Sequence, residues 1–100
     1  MSKRLREAHP FLHLLSRSSP KRRKLLLKQA TKDELTSVFE ICLNILKGNL
    51  NIGKGKTYKT LYRQCQLLRK LGDKKVPYKT KRKLVVQKGR FIGTLASIAL

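Results

Sequence analysis

The side chains of this chain that could do chemistry are few, and their spacing argues against most of it. His9 and His13 stand four apart, the spacing at which two imidazoles on one helix face can share a metal ion. Nothing around them has the Cys/His spacing of a zinc site, so they read as a polar helix face. Cys42 and Cys65 form no Cys-x-x-Cys motif, and each falls at an apolar position of an expected helix. They read as buried free thiols in a reducing compartment. Asp33 and Glu34 are adjacent carboxylates, but helix capping accounts for both. Gly53-Lys54-Gly55-Lys56-Thr57 looks superficially like a phosphate loop. It lacks the four-residue gap after the first glycine and a preceding strand, so it reads as a flexible basic loop touching phosphates through Lys54 and Lys56. No acid–base pair, activated nucleophile or metal set emerges. The expectation is a protein that is not an enzyme and needs no cofactor.

What remains is charge. The 100 residues carry 25 Lys and Arg against 5 Asp and Glu, a net charge of +20. A domain of this size at that charge repels itself unless a polyanion neutralises it. Nucleic acid is the first expectation, ahead of an acidic protein or a membrane surface. The apolar fraction of 40% is too high for a disordered basic tail. There is no apolar run of about 18 residues to span a bilayer, and the charged start of the chain does not read as a signal peptide.

The elements that must position these charges are helical. Leu5, Ala8, Leu12 and Leu15 recur at steps of three and four, interrupted by Pro10, where a short helix restarts. Ser19 and Pro20 form a helix start, opening a segment to about Ala30 with Leu25, Leu26 and Leu27 as its apolar part. Lys21, Arg22, Arg23 and Lys24 crowd its first turn, at the positive end of the helix dipole, which suggests an anion bound there. Thr31 and Glu34 form a capping box for the most secure helix, whose stripe is Leu35, Val38, Phe39, Cys42, Ile45 and Leu46. Gly48 closes it as a left-handed cap. Residues 31–53 hold two lysines against three carboxylates, so this helix reads as the central core element. A further helix is expected from about Thr57 to Leu71, with Tyr58, Leu61, Cys65 and Leu68 inside and Gly72 as its C-cap. Beyond Pro77, residues 79–86 fit either a short helix or an extended arm. Phe91 to Leu100 hold no charge.

The expected fold is all-α, a small bundle of three to four short helices with basic termini. Residues 1–19 form a basic arm with a short helix, 20–72 the helical core, 73–90 a basic arm and 91–100 an apolar tail. Within that core, residues 31–71 carry the packing. The candidate nucleic-acid contacts are Lys3, Arg4, Arg6, Lys21, Arg22, Arg23, Lys24, Lys54, Lys56, Lys79, Lys81, Arg82 and Lys83. The runs Lys21–Lys24 and Lys81–Lys83 would also suit nuclear import. No helix rich in Asn, Gln and Arg is present to read bases, and aromatic residues are too scarce for a stacking platform. Contacts are therefore expected to phosphates, without strong sequence preference.

Several segments carry a resemblance: Lys3-Arg4-Leu5-Arg6, His9-Pro10-Phe11-Leu12, Ile45-Leu46-Lys47-Gly48-Asn49, Leu68-Arg69-Lys70-Leu71-Gly72-Asp73-Lys74-Lys75-Val76 and Lys81-Arg82-Lys83-Leu84. Together they resemble small basic proteins of Polinton-like, adintovirus-type elements, which encode adenovirus-like virion proteins. Lys88-Gly89-Arg90-Phe91-Ile92-Gly93, running into Thr94 to Leu100, is similar to the C-terminal part of the adenovirus core peptide precursor (protein ten, or mu). There a basic region meets a Gly-Gly protease step and an apolar tail. Here Arg90 stands in place of the second glycine and Gln87 in place of an aliphatic residue. The resemblance implies a virion core protein of virion and host nucleus. It would condense a DNA genome and touch the capsid, or itself, through Phe91 to Leu100. The alternatives are an RNA-binding structural component, such as a ribosome-associated protein, and a membrane-active capsid-lining protein.

Overall fold

A computed structural model describes residues 3–48, 59, 62–88 and 92. Six helices of at least five residues order the described chain: α1 (Lys3–Glu7), α2 (His9–Arg17), α3 (Pro20–Gln29), α4 (Lys32–Leu46), α5 (Cys65–Gly72) and α6 (Tyr78–Lys88). No strand occurs among the described residues. The protein is all-α, divided more finely than three or four helices because each helix-restarting signal acts. Pro10 falls in the first turn of α2, where its missing N–H costs nothing. Hydrogen bonding still runs through the α1–α2 junction, from the Ala8 N–H to the Arg4 carbonyl at 3.0 Å and from Leu12 to Ala8 at 2.9 Å. Ser19 caps α3, its hydroxyl accepting from the Arg22 N–H at 3.3 Å. The Thr31 hydroxyl accepts from the Glu34 N–H at 3.1 Å, and the Glu34 carboxylate accepts from the Thr31 N–H at 2.9 Å. Both halves of the expected capping box are therefore present. Gly48 takes the left-handed conformation, φ +73°.

The core does not stop at residues 31–71. Leu5 of α1, Ala8 at the α1–α2 junction and Phe11, Leu12 and Leu15 of α2 are buried with Leu27, with Leu35, Val38, Ile41 and Cys42 of α4, with Leu68 and Leu71 of α5, and with Val85 of α6. The N-terminal segment is thus part of the packed body, not an arm outside it. The same holds at the other end. Residues 78–88 are a helix that buries Val85 and half-buries Tyr78, Leu84 and Val86. Ile92, in the expected tail, is fully buried. Both terminal segments are rich in charge, but their spaced apolar residues do the packing.

Three further details differ from expectation. Three consecutive leucines of α3 span too much arc to share one face. Leu27 is buried, whereas Leu25 is 55% exposed. The inner face of α4 is rotated toward Ile41, so Ile45 is half-buried and Leu46 exposed. Gly72 is not a cap but the last residue of α5, and Asp73 is the C-cap. A Cβ on Gly72 would lie 3.1 Å from the Leu43 nitrogen and 3.2 Å from its Cα. The glycine lets α5 lie directly on the backbone of α4. The expected helix start at Thr57 and the core place of Tyr58 and Leu61 lie outside the described residues. No helix among the described residues is long and apolar enough to cross a membrane.

Candidate nucleic-acid interface

Helices α3 and α6 pack antiparallel, which brings two distant basic clusters together. The Arg82 guanidinium donates to the Lys28 carbonyl at 2.9 Å, near the C-terminal end of α3. At the other end Pro20, Lys21 and Lys24 share a cleft with Val85, Val86 and Gln87. At 100° per residue, Lys21, Lys24 and Lys28 fall within about 60° of arc on α3. Lys79, Arg82 and Lys83 fall within about 100° on α6. All six side chains are exposed. Lys28 was missed as a site residue because it lies outside the four-residue basic run. Its signal was the spacing, four from Lys24 and seven from Lys21.

The rest of the expected contacts separate from this pair of stripes. Arg22 is exposed but lies on the opposite side of α3. Arg23 is half-buried and is a structural residue. Its Nε donates to the Leu15 carbonyl at 3.2 Å and its terminal nitrogen to the Ser18 carbonyl at 2.7 Å, at the C-terminal end of α2. The Leu15 carbonyl accepts only a long bond, 3.4 Å, from the Ser18 N–H of the C-cap, and a cation suits that end of the dipole. Lys81 is only 7% exposed. It faces inward because it lies on the same face of α6 as Tyr78 and Val85. Both Arg23 and Lys81 therefore correct the expectation of surface phosphate contacts. Lys54 and Lys56 lie outside the described residues.

Lys3 and Arg4 are directed to α4. They line a cleft with Glu7, Asp33 and Glu34, and Lys3 pairs with Glu7 at 3.9 Å. Both also line the neighbouring cavity that contains Glu40. Arg6 is exposed and lines neither space. Four of the chain's five carboxylates thus gather around α1 and α4. The fifth, Asp73, closes the turn after α5, accepting from the Lys75 N–H at 2.9 Å. No carboxylate belongs to α3 or α6. Their shared outer face is left uncompensated, and its field is not cancelled locally.

Phe11, Phe39 and Tyr78 lie away from this face. Phe11 and Phe39 are buried. Phe39 meets Tyr78 edge-on at 6.1 Å, and the Lys32 ammonium sits 5.4 Å from the Tyr78 ring centroid. The Lys81 ammonium lies 5.3 Å from the Phe39 centroid. A desolvated cation over an aromatic ring recovers about 2 kcal/mol, less than burial of an ammonium costs. Burial lowers the Lys81 pKa, opposed by the fields of Asp73 and Cys42. Burial also pushes the Cys42 thiol up to about 12, opposed by Lys81. Such a thiol is unreactive at neutral pH. The His9 and His13 rings stack at 6.2 Å on an exposed face. No protein-family model, curated protein or solved structure matches this chain.

Proposed function

We propose that this chain is a non-enzymatic protein that binds the phosphate backbone of duplex nucleic acid, DNA ahead of RNA, without strong sequence preference. The observation that carries the reading is the α3–α6 face: six exposed cations on two packed helices that have no carboxylate of their own. Lysines predominate there, and they act on phosphates as point charges, without reading base edges. Helix α3 has no aromatic residue and the one on α6, Tyr78, is turned inward against Phe39, which disfavours binding by stacking on unpaired bases. The resemblance to adintovirus-type core proteins extends the proposal to genome condensation in a virion, with passage through the host nucleus.

Fluorescence anisotropy with random duplex DNA tests it. Six phosphate contacts at about 0.9 each give a log–log salt slope near −5. Replacing Lys21, Lys24 and Lys28 by Gln flattens that slope by about three units. A wild-type slope near one or two, or more than about a hundredfold preference for one sequence over random DNA, sinks the proposal.

A further inference from the structure

A second cationic site lies away from the α3–α6 face. Residues of α1, α4, α5, α6 and the turns after α4 and α5 line an open cavity of about 600 Å³, within the size range of small-molecule sites. Lys3, Arg4, Lys47, Lys74 and Lys81 line it together with one carboxylate, Glu40. Among the described residues none of these cations pairs with Glu40, and the only ion pair is Lys3 with Glu7. Five like charges therefore converge on one space with a single carboxylate in its lining, and four of them, Arg4, Lys47, Lys74 and Lys81, have no ion-pair partner among the described residues. Two of the groups are costly as they stand. Lys81 is 93% removed from solvent, with an aromatic ring beside its ammonium and no carboxylate within ion-pair distance, only the field of Asp73. One oxygen of Glu40 is buried without a hydrogen-bond donor.

We propose that this cavity binds a nucleotide, a small molecule that carries both phosphates and hydrogen-bond donors. The phosphates would take the counter-ion position that Arg4, Lys47, Lys74 and Lys81 leave empty, with Lys3 at its edge. A ribose hydroxyl or base amino group would donate to Glu40, whose side chain turns to meet it. Asn44, also in the lining, supplies both a donor and an acceptor. A bare oligophosphate satisfies the cations but meets only repulsion from Glu40, so the carboxylate selects against it. This site does not depend on the outer face binding nucleic acid.

Isothermal titration calorimetry of the full chain with ATP and with tripolyphosphate, near physiological salt, tests the assignment. The expected result is one ATP site, weakened at least tenfold by Lys81→Met and by the double variant Arg4→Gln/Lys74→Gln. The double variant changes exposed side chains only, so it stands even if Lys81→Met misfolds. Arg22→Gln/Lys75→Gln removes as much charge but touches neither the cavity nor the α3–α6 stripes, and changes ATP affinity less than threefold. Glu40→Gln tightens tripolyphosphate severalfold while leaving ATP unchanged or weaker. Equal weakening by both double variants reduces the binding to diffuse charge and overturns the proposal. So does ATP binding that is lost in Lys21→Gln/Lys24→Gln and kept in Lys81→Met, which places it on the outer face. Equal tightening of both ligands by Glu40→Gln overturns the choice of a nucleotide.

Discussion

Cys42 and Arg23 show how a residue's role follows from what surrounds it. The unfolded Cys42 thiol ionises near its ordinary value of 9.0, while the folded one holds its proton to about 12. Below pH 9 both states are protonated and no stability is lost. Above it the unfolded state gains by ionising, so stability falls as pH rises toward 12. Lys81 acts in the opposite direction, because its folded-state pKa is lowered and its penalty disappears as pH rises to 10.5. At pH 11 only the Cys42 effect is still growing. Relative to Cys42→Ala, the wild type is expected to lose about 3 kcal/mol between pH 8 and pH 11, measured by urea unfolding. Alkylation at pH 8 should modify the half-buried Cys65 and spare Cys42 until the chain unfolds. Arg23→Gln should cost about 1–3 kcal/mol, because a charged donor leaves the α2 carbonyls. Its DNA salt slope should match the wild type. A slope flattened by a full unit with unchanged melting would return Arg23 to the phosphate contacts.

Helix-level signals were legible where they are local. Ser19, Pro20, Thr31, Glu34 and Gly48 each act within one turn, so the starts of α3 and α4 and the close of α4 could be read directly from residue types. The helix α6 was not legible. Lys81 sits in the middle of its inner face, between Tyr78 and Val85, and breaks the apolar stripe that would have marked it. The role of Gly72 is hidden in the sequence for a related reason. A glycine at a helix end has two common uses, a left-handed cap and a close approach, and only the position of Leu43 on α4 distinguishes them. Gly72→Ala tests that close approach. Helix propensity favours alanine by about 1 kcal/mol, but forcing a methyl against the Leu43 backbone typically costs about 1–3 kcal/mol. Net destabilisation of about 1 kcal/mol is expected in thermal melts, and more for Gly72→Val. A more stable Gly72→Ala would mean that α5 can shift freely on α4.

Over the whole molecule, charge and packing are sorted by position. Carboxylates collect around α1, α4 and the α5–α6 turn, and cations without them occupy α3 and α6. The C-terminal segment tests how far the packed body extends. Ile92 is fully buried, so Ile92→Ala should cost about 2–5 kcal/mol, a large part of the stability of a domain this small. Removing residues 94–100, which carry no charge, should leave the DNA salt slope intact. If Ile92→Ala melts like the wild type, this residue does not close the core.

From its sequence alone this protein is all-α, strongly cationic, and provided with caps that set the starts of α3 and α4. These properties follow from composition, helical periodicity and hydrogen bonds within one turn, all of which are local. Which cations act together was decided only by tertiary structure. Lys21 to Lys24 are contiguous in sequence, yet 100° per residue sends Lys21 and Lys24 outward beside α6, Arg22 away and Arg23 into the α2 end. Lys28 and Arg82 are 54 residues apart and meet. A run of like residues on a helix must be divided among faces, and the burial of Leu27 and Val85 chose the division.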